Sequence, residues 1–358
     1  MGNVSRIRYL DFLRALAVLL VMYDHNFVYY ADQRQITVHL YRSLENLIFK
    51  PLGLIQSSGF LGVVIFFLIS GYIITYILET ETTAEFAIKR FFRIFPPFWF
   101  SILAVIVLYA LPSMITRVPN YFSQYTVRDY FGSGLLLNYF SDGIRATNAG
   151  AWTLAIEVTF YLFMAMLSPI KRQPILTITV FGLVYGMVAA LSYAGIGFFR
   201  HIDNVLYYLP ILFVGVVLRY MEIGLSFKTG ILAFIALYLL FLANTHVLGN
   251  DYLFPGYMSS ILVAFIVFYT CMMNAKAFTG RMKPIYWIAD QSYSLYLLHF
   301  TIGYFVMDKL SAEPYSVRLL AGISAIFVVS AVFKQLVERP SVRLGSRIAR
   351  LVRGEAQA

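Results

Sequence analysis

Cysteine is almost missing from this chain. The 358 residues contain one, Cys271, which excludes a disulfide framework within the chain and any metal site built on thiolates. Charge is scarce as well. Asp, Glu, Lys and Arg together make up 13% of the residues, too few to cover the surface of a soluble globule. Acids are scarcer than bases, 18 against 28, for a net charge of +10. Those bases are dispersed along short stretches beside apolar runs, and that excludes a nucleic-acid footprint. Histidine is limited to five residues without clustering, so no metal ion is expected.

What is present in excess is apolar surface. Hydrophobic residues reach 60% and the mean hydropathy is +0.73, the composition of an all-α polytopic membrane protein. About ten stretches are long enough to cross a bilayer. They lie near 10–30, 59–79, 92–112, 150–170, 174–194, 203–221, 230–247, 256–275, 285–307 and 316–337. Pro96, Pro97 and Pro210 blur the ends of the third and sixth. The first is too long and too charged for a cleaved signal peptide, and no small-residue cleavage site follows it. With the N-terminus in the cytoplasm, the inner side carries roughly twice as many Lys and Arg as the outer side, so both termini are expected inside. Residues 1–358 read as one integral membrane domain with a basic cytoplasmic tail at 338–358 and no fused soluble domain. That tail, VRLGSRIARLVRG, is expected to touch anionic lipid head groups. The longest loops, near 31–58 and 113–149, fall outside. The second, with YFGSGLLLNYFSDG, either covers an external acceptor site or lies in the interface by its aromatic residues. No inverted repeat of the transporter kind is visible.

Polar groups inside the apolar stretches point to function, because each costs a few kcal/mol in a bilayer. Arg14 and His25 both lie within LDFLRALAVLLVMYDHNFVYY. Eleven residues at about 100° each make about three turns, so the two share a helix face, stacked about 16 Å apart. Asp11 joins that face one turn below Arg14. Such a stripe should line a protein interior or a wet cavity. Counting from helix ends places His25, Glu157 and His299 in the outer half of the bilayer, within roughly 5 Å of one another in depth. Asp24 adjoins His25 but points about 100° away. Each has a plainer reading: a hydrogen-bonded structural histidine for His25, an ion pair with Arg14 for Glu157, and a ring donating to a backbone carbonyl for His299. The inner loop FAIKRFFRIFP offers Lys89, Arg90 and Arg93, which follow the positive-inside rule and could also hold the phosphates of a cytosolic ligand. Ser70-Gly71 in FLGVVIFFLISGYIIT is a close-packing device in membrane helices. A serine nucleophile there would need a base within reach.

These segments together resemble the acyltransferase-3 family of integral membrane acyltransferases, the bacterial O-acetylases of O-antigen, exopolysaccharide and nodulation factors. The resemblance covers nearly the whole chain. It rests on Arg14 and His25 in the family's R-x10-H pattern, GVVIFFLISGYIIT for its FF-x-x-SG segment, KRFFRIFPPFW for its basic segment, WTLAIEVTFYL for its W-x-L-x-x-E-x-x-FY segment, and SYSLYLLHF near the end. Lys89 stands where the family usually has its first Arg. The resemblance implies transfer of an acyl group, usually acetyl, from cytosolic acetyl-CoA to a hydroxyl of an envelope glycan such as a lipopolysaccharide or exopolysaccharide, in the bacterial inner membrane. Arg14 and His25 carry over as the essential pair, Glu157 as the acidic residue, and Lys89, Arg90 and Arg93 as the donor-binding segment with Arg14 beside them. His299, Ser70 and Trp152 are taken as substrate-binding. Some relatives carry a fused extracytoplasmic domain. Without one, direct transfer or a separate extracytoplasmic transferase is implied.

Both readings converge on one mechanism. His25 acts as general base on the acceptor hydroxyl or as acyl carrier, and Glu157 or Asp24 orients its ring as the third group of a hydrolase triad does. Two other classes compete. Intramembrane Arg, His, Glu and Asp also mark proton-coupled transporters and flippases, which need no phosphate-binding cluster. A membrane scaffold would leave the Arg14–His25 stripe without a purpose.

Overall fold

The computed structural model describes residues 7–54, 58–117, 124–148, 150–249, 254–279 and 282–354. Arg6 and Arg281, two of the basic residues on the side expected to be cytoplasmic, and residues 355–358 of the basic tail lie outside them. Among the described residues there are helices and turns and no strand, and each helix satisfies its own backbone groups as hydrocarbon requires.

We number the longer helices in chain order: α1 (Arg8–Gln33), α2 (Gly59–Leu78), α3 (Thr83–Thr116), α4 (Val127–Gly134), α5 (Ala151–Met166), α6 (Pro174–Tyr193), α7 (Gly197–Leu206), α8 (Leu209–Glu222), α9 (Phe227–Val247), α10 (Phe254–Met273), α11 (Lys283–Asp290), α12 (Ser292–Lys309) and α13 (Tyr315–Val352). All ten expected segments are helical. Seven are long and apolar enough on their own to cross a membrane, and an eighth is completed by α7 and α8, which meet at a 43° bend just before Pro210. The other two segments fall short for different reasons, α5 in length and α12 in apolarity. α5 has 16 residues. α12 carries Tyr, Ser and His along with Asp308 and Lys309. These helices bring Glu157 and His299 inward, and their polarity is met by protein rather than lipid.

The centre of the bundle is α2, whose apolar window is 72% buried, against 17% for α13 at the edge. α2 packs on α1, α8 and α10. The contact with α8 is very close. A Cβ built on Gly71 would overlap the carbonyl of Leu212, and one on Gly215 the carbonyl of Leu68, so glycines are required on both sides. At one end of this seam Arg219 of α8, only 9% exposed, donates to both carboxylate oxygens of Glu79 at 2.9 Å and to Glu222 at 2.5 Å. Tyr72 donates to Glu222 as well.

Two features differ from the expectation. The basic stretch FAIKRFFRIFP is helix, not loop. Thr82 and Glu85 form a capping box, Thr82 N donating to Glu85 Oε2 at 2.9 Å and Glu85 N to Thr82 Oγ1 at 3.3 Å. That cap starts α3 ahead of Lys89, and α3 continues through Pro96 and Pro97. The second long loop, where described, is folded down onto α3. Trp99 Nε1 donates to Gly134 O at 2.9 Å, and Asn148 Nδ2 to Ser101 Oγ at 3.2 Å. Within it Asp129 accepts from the backbone N–H groups of Arg145 and Thr126 at 2.9 and 2.8 Å. These bonds hold its carboxyl below the usual carboxylate range. Residues 55–57 of the first loop and 118–123 and 149 of the second lie outside the description.

Candidate active site

Between α1, α2, α3, α5 and α12 lies a cavity of about 250 Å³. Arg14 enters it from α1, Ser70 from α2, Arg90 and Arg93 from α3, Glu157 and Tyr161 from α5, and Ser292, Tyr293 and Tyr296 from α12. Glu157 accepts from Ser70 Oγ at 3.3 Å and from the hydroxyl of Tyr161. Arg14 Nη1 lies 3.2 Å from Asp11 Oδ1, within one turn of helix. Three guanidinium groups therefore face a cavity lined by one carboxylate. The Arg90 Nε–H is buried and has no hydrogen-bond acceptor among the described residues. A buried donor of this kind in a positive cavity is what an anionic ligand would satisfy. Lys89 is not in the cavity. It reaches back to Glu81 at 2.9 Å, because adjacent helical residues point about 100° apart.

A second cavity of about 230 Å³ adjoins the first. Val63 and Tyr296 line both. Its other walls are His25 and Val21 of α1, Gly59, Trp152 of α5 and Tyr208. The Tyr296 hydroxyl lies 2.8 Å from Thr153 Oγ1 and 3.2 Å from Gly150 O, so it forms part of the partition. Trp152 stacks obliquely on Tyr208 with centroids 5.2 Å apart. Arg14 and His25 thus open into successive chambers on one side of α1.

His25 lies where α1 widens into a π-helical stretch, Tyr23–Tyr29, a distortion frequent at functional sites. Carbonyls of this stretch also accept from side chains on neighbouring elements. Tyr304 donates to His25 O at 3.0 Å and Tyr315 to Phe27 O at 2.8 Å. Asn26, wholly buried, donates to His299 O at 3.1 Å. The imidazoles meet directly, His25 Nδ1 lying 2.7 Å from His299 Nε2. Asp24 Oδ2 is 3.7 Å from His25 Nε2, longer than a hydrogen bond and close enough to attract an imidazolium.

The sequence-derived candidates divide accordingly. His25 and His299 meet, with Asp24 alongside. Glu157 does not join them: it lines the first cavity, from which His25 is absent, and is engaged by Ser70 and Tyr161. Counting along helices fixes depth but not which neighbour a face will meet. His299 lines neither cavity and is 1% exposed, so it offers no surface to a substrate. Ser70 has an acid and no histidine beside it among its described partners. Trp152 lines the second cavity. Tyr161, Tyr293, Tyr296 and Tyr208 carry no signal in the sequence, since tyrosine is abundant, with 27 residues, and no single position stands out. Among the described residues no group of three or more His, Cys, Asp or Glu could hold a metal ion.

A helical membrane bundle enclosing a basic chamber next to a histidine chamber defines a class of integral membrane enzyme or carrier. Comparison with known proteins narrows it. The acyltransferase domain family matches residues 7–334, and the chain belongs to that family. It is 24% identical over 326 residues to the peptidoglycan O-acetyltransferase OatA of Listeria monocytogenes, covering 79% of this chain and 51% of that protein. A putative O-acetyltransferase of Staphylococcus aureus is 26% identical over 377 positions, covering 92% and 56%. Nodulation protein 10 of Rhizobium leguminosarum bv. viciae is 33% identical over 126 residues, covering 31% and 34%. The chain spans about half the length of the first two. No solved structure matches it.

Proposed function

We propose that this protein is an O-acetyltransferase of the bacterial inner membrane. It moves an acetyl group from cytosolic acetyl-CoA to a hydroxyl of an envelope glycan. The observation that carries the proposal is the pair of adjoining cavities, one positive and one holding His25, in a chain of the acyltransferase family. With the termini in the cytoplasm, the donor's anionic part belongs with Arg90, Arg93 and Arg14, whose charge Glu157 only partly offsets. The acceptor belongs in the second cavity, where the faces of Trp152 and Tyr208 suit a sugar ring.

The chemistry follows from the side chains. Neutral His25 takes the proton of the acceptor hydroxyl through Nε2 as that oxygen attacks the thioester carbonyl. A C–O bond forms, the C–S bond breaks, and the sulfur leaves as thiolate. The imidazolium then returns the proton to it, giving the free thiol. General-base help of this kind contributes about 10²–10⁴-fold. Asp24, 3.7 Å away, favours the imidazolium and so lowers the barrier to its formation. Tyr296 stands between donor and acceptor chambers, where the two substrates must meet.

The test is release of free CoA by purified protein given labelled acetyl-CoA, first alone and then with crude envelope glycan. Glycan-dependent release, with label in ester linkage and abolished in His25→Ala, is the expected result. CoA release without an acceptor, with label retained on the protein, would replace direct transfer by an acyl-His25 intermediate. Folded protein that neither binds nor turns over acetyl-CoA, yet moves protons with a substrate, would make it a transporter instead.

A further inference from the structure

We infer that His299 is a positioning residue for the transfer reaction. It fixes which nitrogen of His25 carries the proton. The inference rests on the reading of His25 as base and adds a residue with a defined task.

The argument is an account of donors and acceptors. His299 Nδ1 lies 2.7 Å from Tyr296 O. A carbonyl oxygen only accepts, so Nδ1 holds a hydrogen and donates it. In the neutral ring this leaves His299 Nε2 as an acceptor. His25 Nδ1 lies 2.7 Å from that atom, so His25 Nδ1 must in turn be the donor. The neutral His25 ring then has its lone pair on Nε2, the nitrogen that a general base uses here. The rings are coplanar within 3°, with centroids 5.0 Å apart. With the facing nitrogens at 2.7 Å, that separation is of two rings joined edge to edge, so the hydrogen bond lies in both ring planes. Each link of the chain, from carbonyl to His299 to His25, has one direction only.

The surroundings keep this chain in place. His299 is 1% exposed, so its ring is held among protein groups. Its own carbonyl is held by Asn26, the residue after His25. Gly303, one turn further along α12, leaves the space that the Asn26 amide fills, since a Cβ there would lie 2.4 Å from Asn26 Nδ2. Tyr304, on the same helix, holds the His25 carbonyl. One face of α12 therefore grips both the ring and the backbone of the His25 turn. His299 takes the place that a buried carboxylate has in a hydrolase triad, but as a neutral acceptor. A neutral partner sets the tautomer without pre-stabilising the imidazolium. In this site that second task belongs to Asp24.

The experiment has a readout that does not need turnover. Full-length protein in detergent is labelled with ¹⁵N-histidine, and the resonances of five histidines are assigned with His25→Gln and His299→Gln. We expect His25 with hydrogen on Nδ1 and an unprotonated Nε2 at neutral pH. In His299→Leu this preference should be lost. Its kcat should fall about 100-fold or more with the KM values for donor and acceptor within about threefold, since a wrong tautomer removes the base without removing binding. His299→Gln, whose amide oxygen can accept from His25, should recover activity to within about tenfold of wild type. Hydrogen on His25 Nε2 in the wild-type protein would overturn the inference. So would a folded His299→Leu variant with unchanged kcat. If His299→Leu does not fold, the wild-type spectrum and His299→Gln still decide. Absence of acetyl transfer by the wild type would overturn the functional proposal alone and leave the tautomer result standing.

Discussion

At the scale of residues, adjacent side chains on one helix have different tasks because 100° of rotation separates them. Lys89 pairs with Glu81 near the surface, side chains 26% and 17% exposed, whereas Arg90 and Arg93 enter the cavity. A partly exposed ion pair is worth about 0–1 kcal/mol. Hydrogen bonds from a buried guanidinium to a phosphate are worth about 1.5–3 kcal/mol each. Lys89→Ala should therefore leave the KM for acetyl-CoA within about threefold, and Arg90→Ala or Arg93→Ala should raise it at least tenfold. Initial rates over a range of acetyl-CoA at saturating glycan would show this. Equal effects of all three would mean that the donor is held at the helix surface and not in the cavity. The sequence put the three bases in one group. Only the direction of each side chain, fixed once Thr82 and Glu85 cap α3, separates them.

At the scale of elements, the seam between α2 and α8 decides whether the site exists. Gly71 follows Ser70, which donates to Glu157, so a shift of α2 against α8 would move a wall of the first cavity. A methyl at Gly71 or Gly215 meets backbone, which cannot swing aside as a side chain can. Overpacking of this sort costs about 1–3 kcal/mol or more. Gly71→Ala and Gly215→Ala should lower the melting temperature in detergent and reduce activity together. Gly186→Ala, in α6 with nothing within 4 Å of the added carbon, should do neither. If Gly71→Ala melts as wild type does, the two helices are further apart than described. The sequence marked Ser70-Gly71 as a packing device without naming the partner. Gly215 gave no signal, because a glycine in an apolar helix reads alike whether it faces lipid or another backbone.

At the scale of the whole molecule, two adjoining chambers lie along one side of α1, and the arrangement is useful only if the basic chamber opens toward the donor. The excess of Lys and Arg on one side predicts that side to be cytoplasmic. A fluorescent protein fused after residue 354 should fold and fluoresce, and alkaline phosphatase fused there should be inactive in cells. The reverse pattern would put Arg90 and Arg93 on the wrong side for acetyl-CoA. In this frame the row Arg339, Arg343, Arg347 and Arg350 of α13, all exposed, lies on one helix face beside the end of α3 that Arg353 and Glu85 join at 3.6 Å.

The sequence by itself determined the class of fold, because continuous apolar runs of about 20 residues cross a bilayer as helices that satisfy their own backbone groups. It also singled out Arg14, His25, Glu157 and the basic segment, because ionisable groups in such stretches are costly enough to need a reason. Periodicity sufficed to put Arg14 and His25 on one side of α1. Tertiary structure alone decided that His25 meets His299, that Glu157 belongs with the arginines, and that Lys89 stands apart. Rise and rotation along a helix are local properties that a sequence encodes. Which faces of α1, α5 and α12 are brought together is set by packing around α2, and that depends on contacts among residues far apart in the chain. The widened turn at Tyr23–Tyr29 belongs to the same category, since Tyr304, Tyr315 and Asn26 tie it to other elements by bonds across helices.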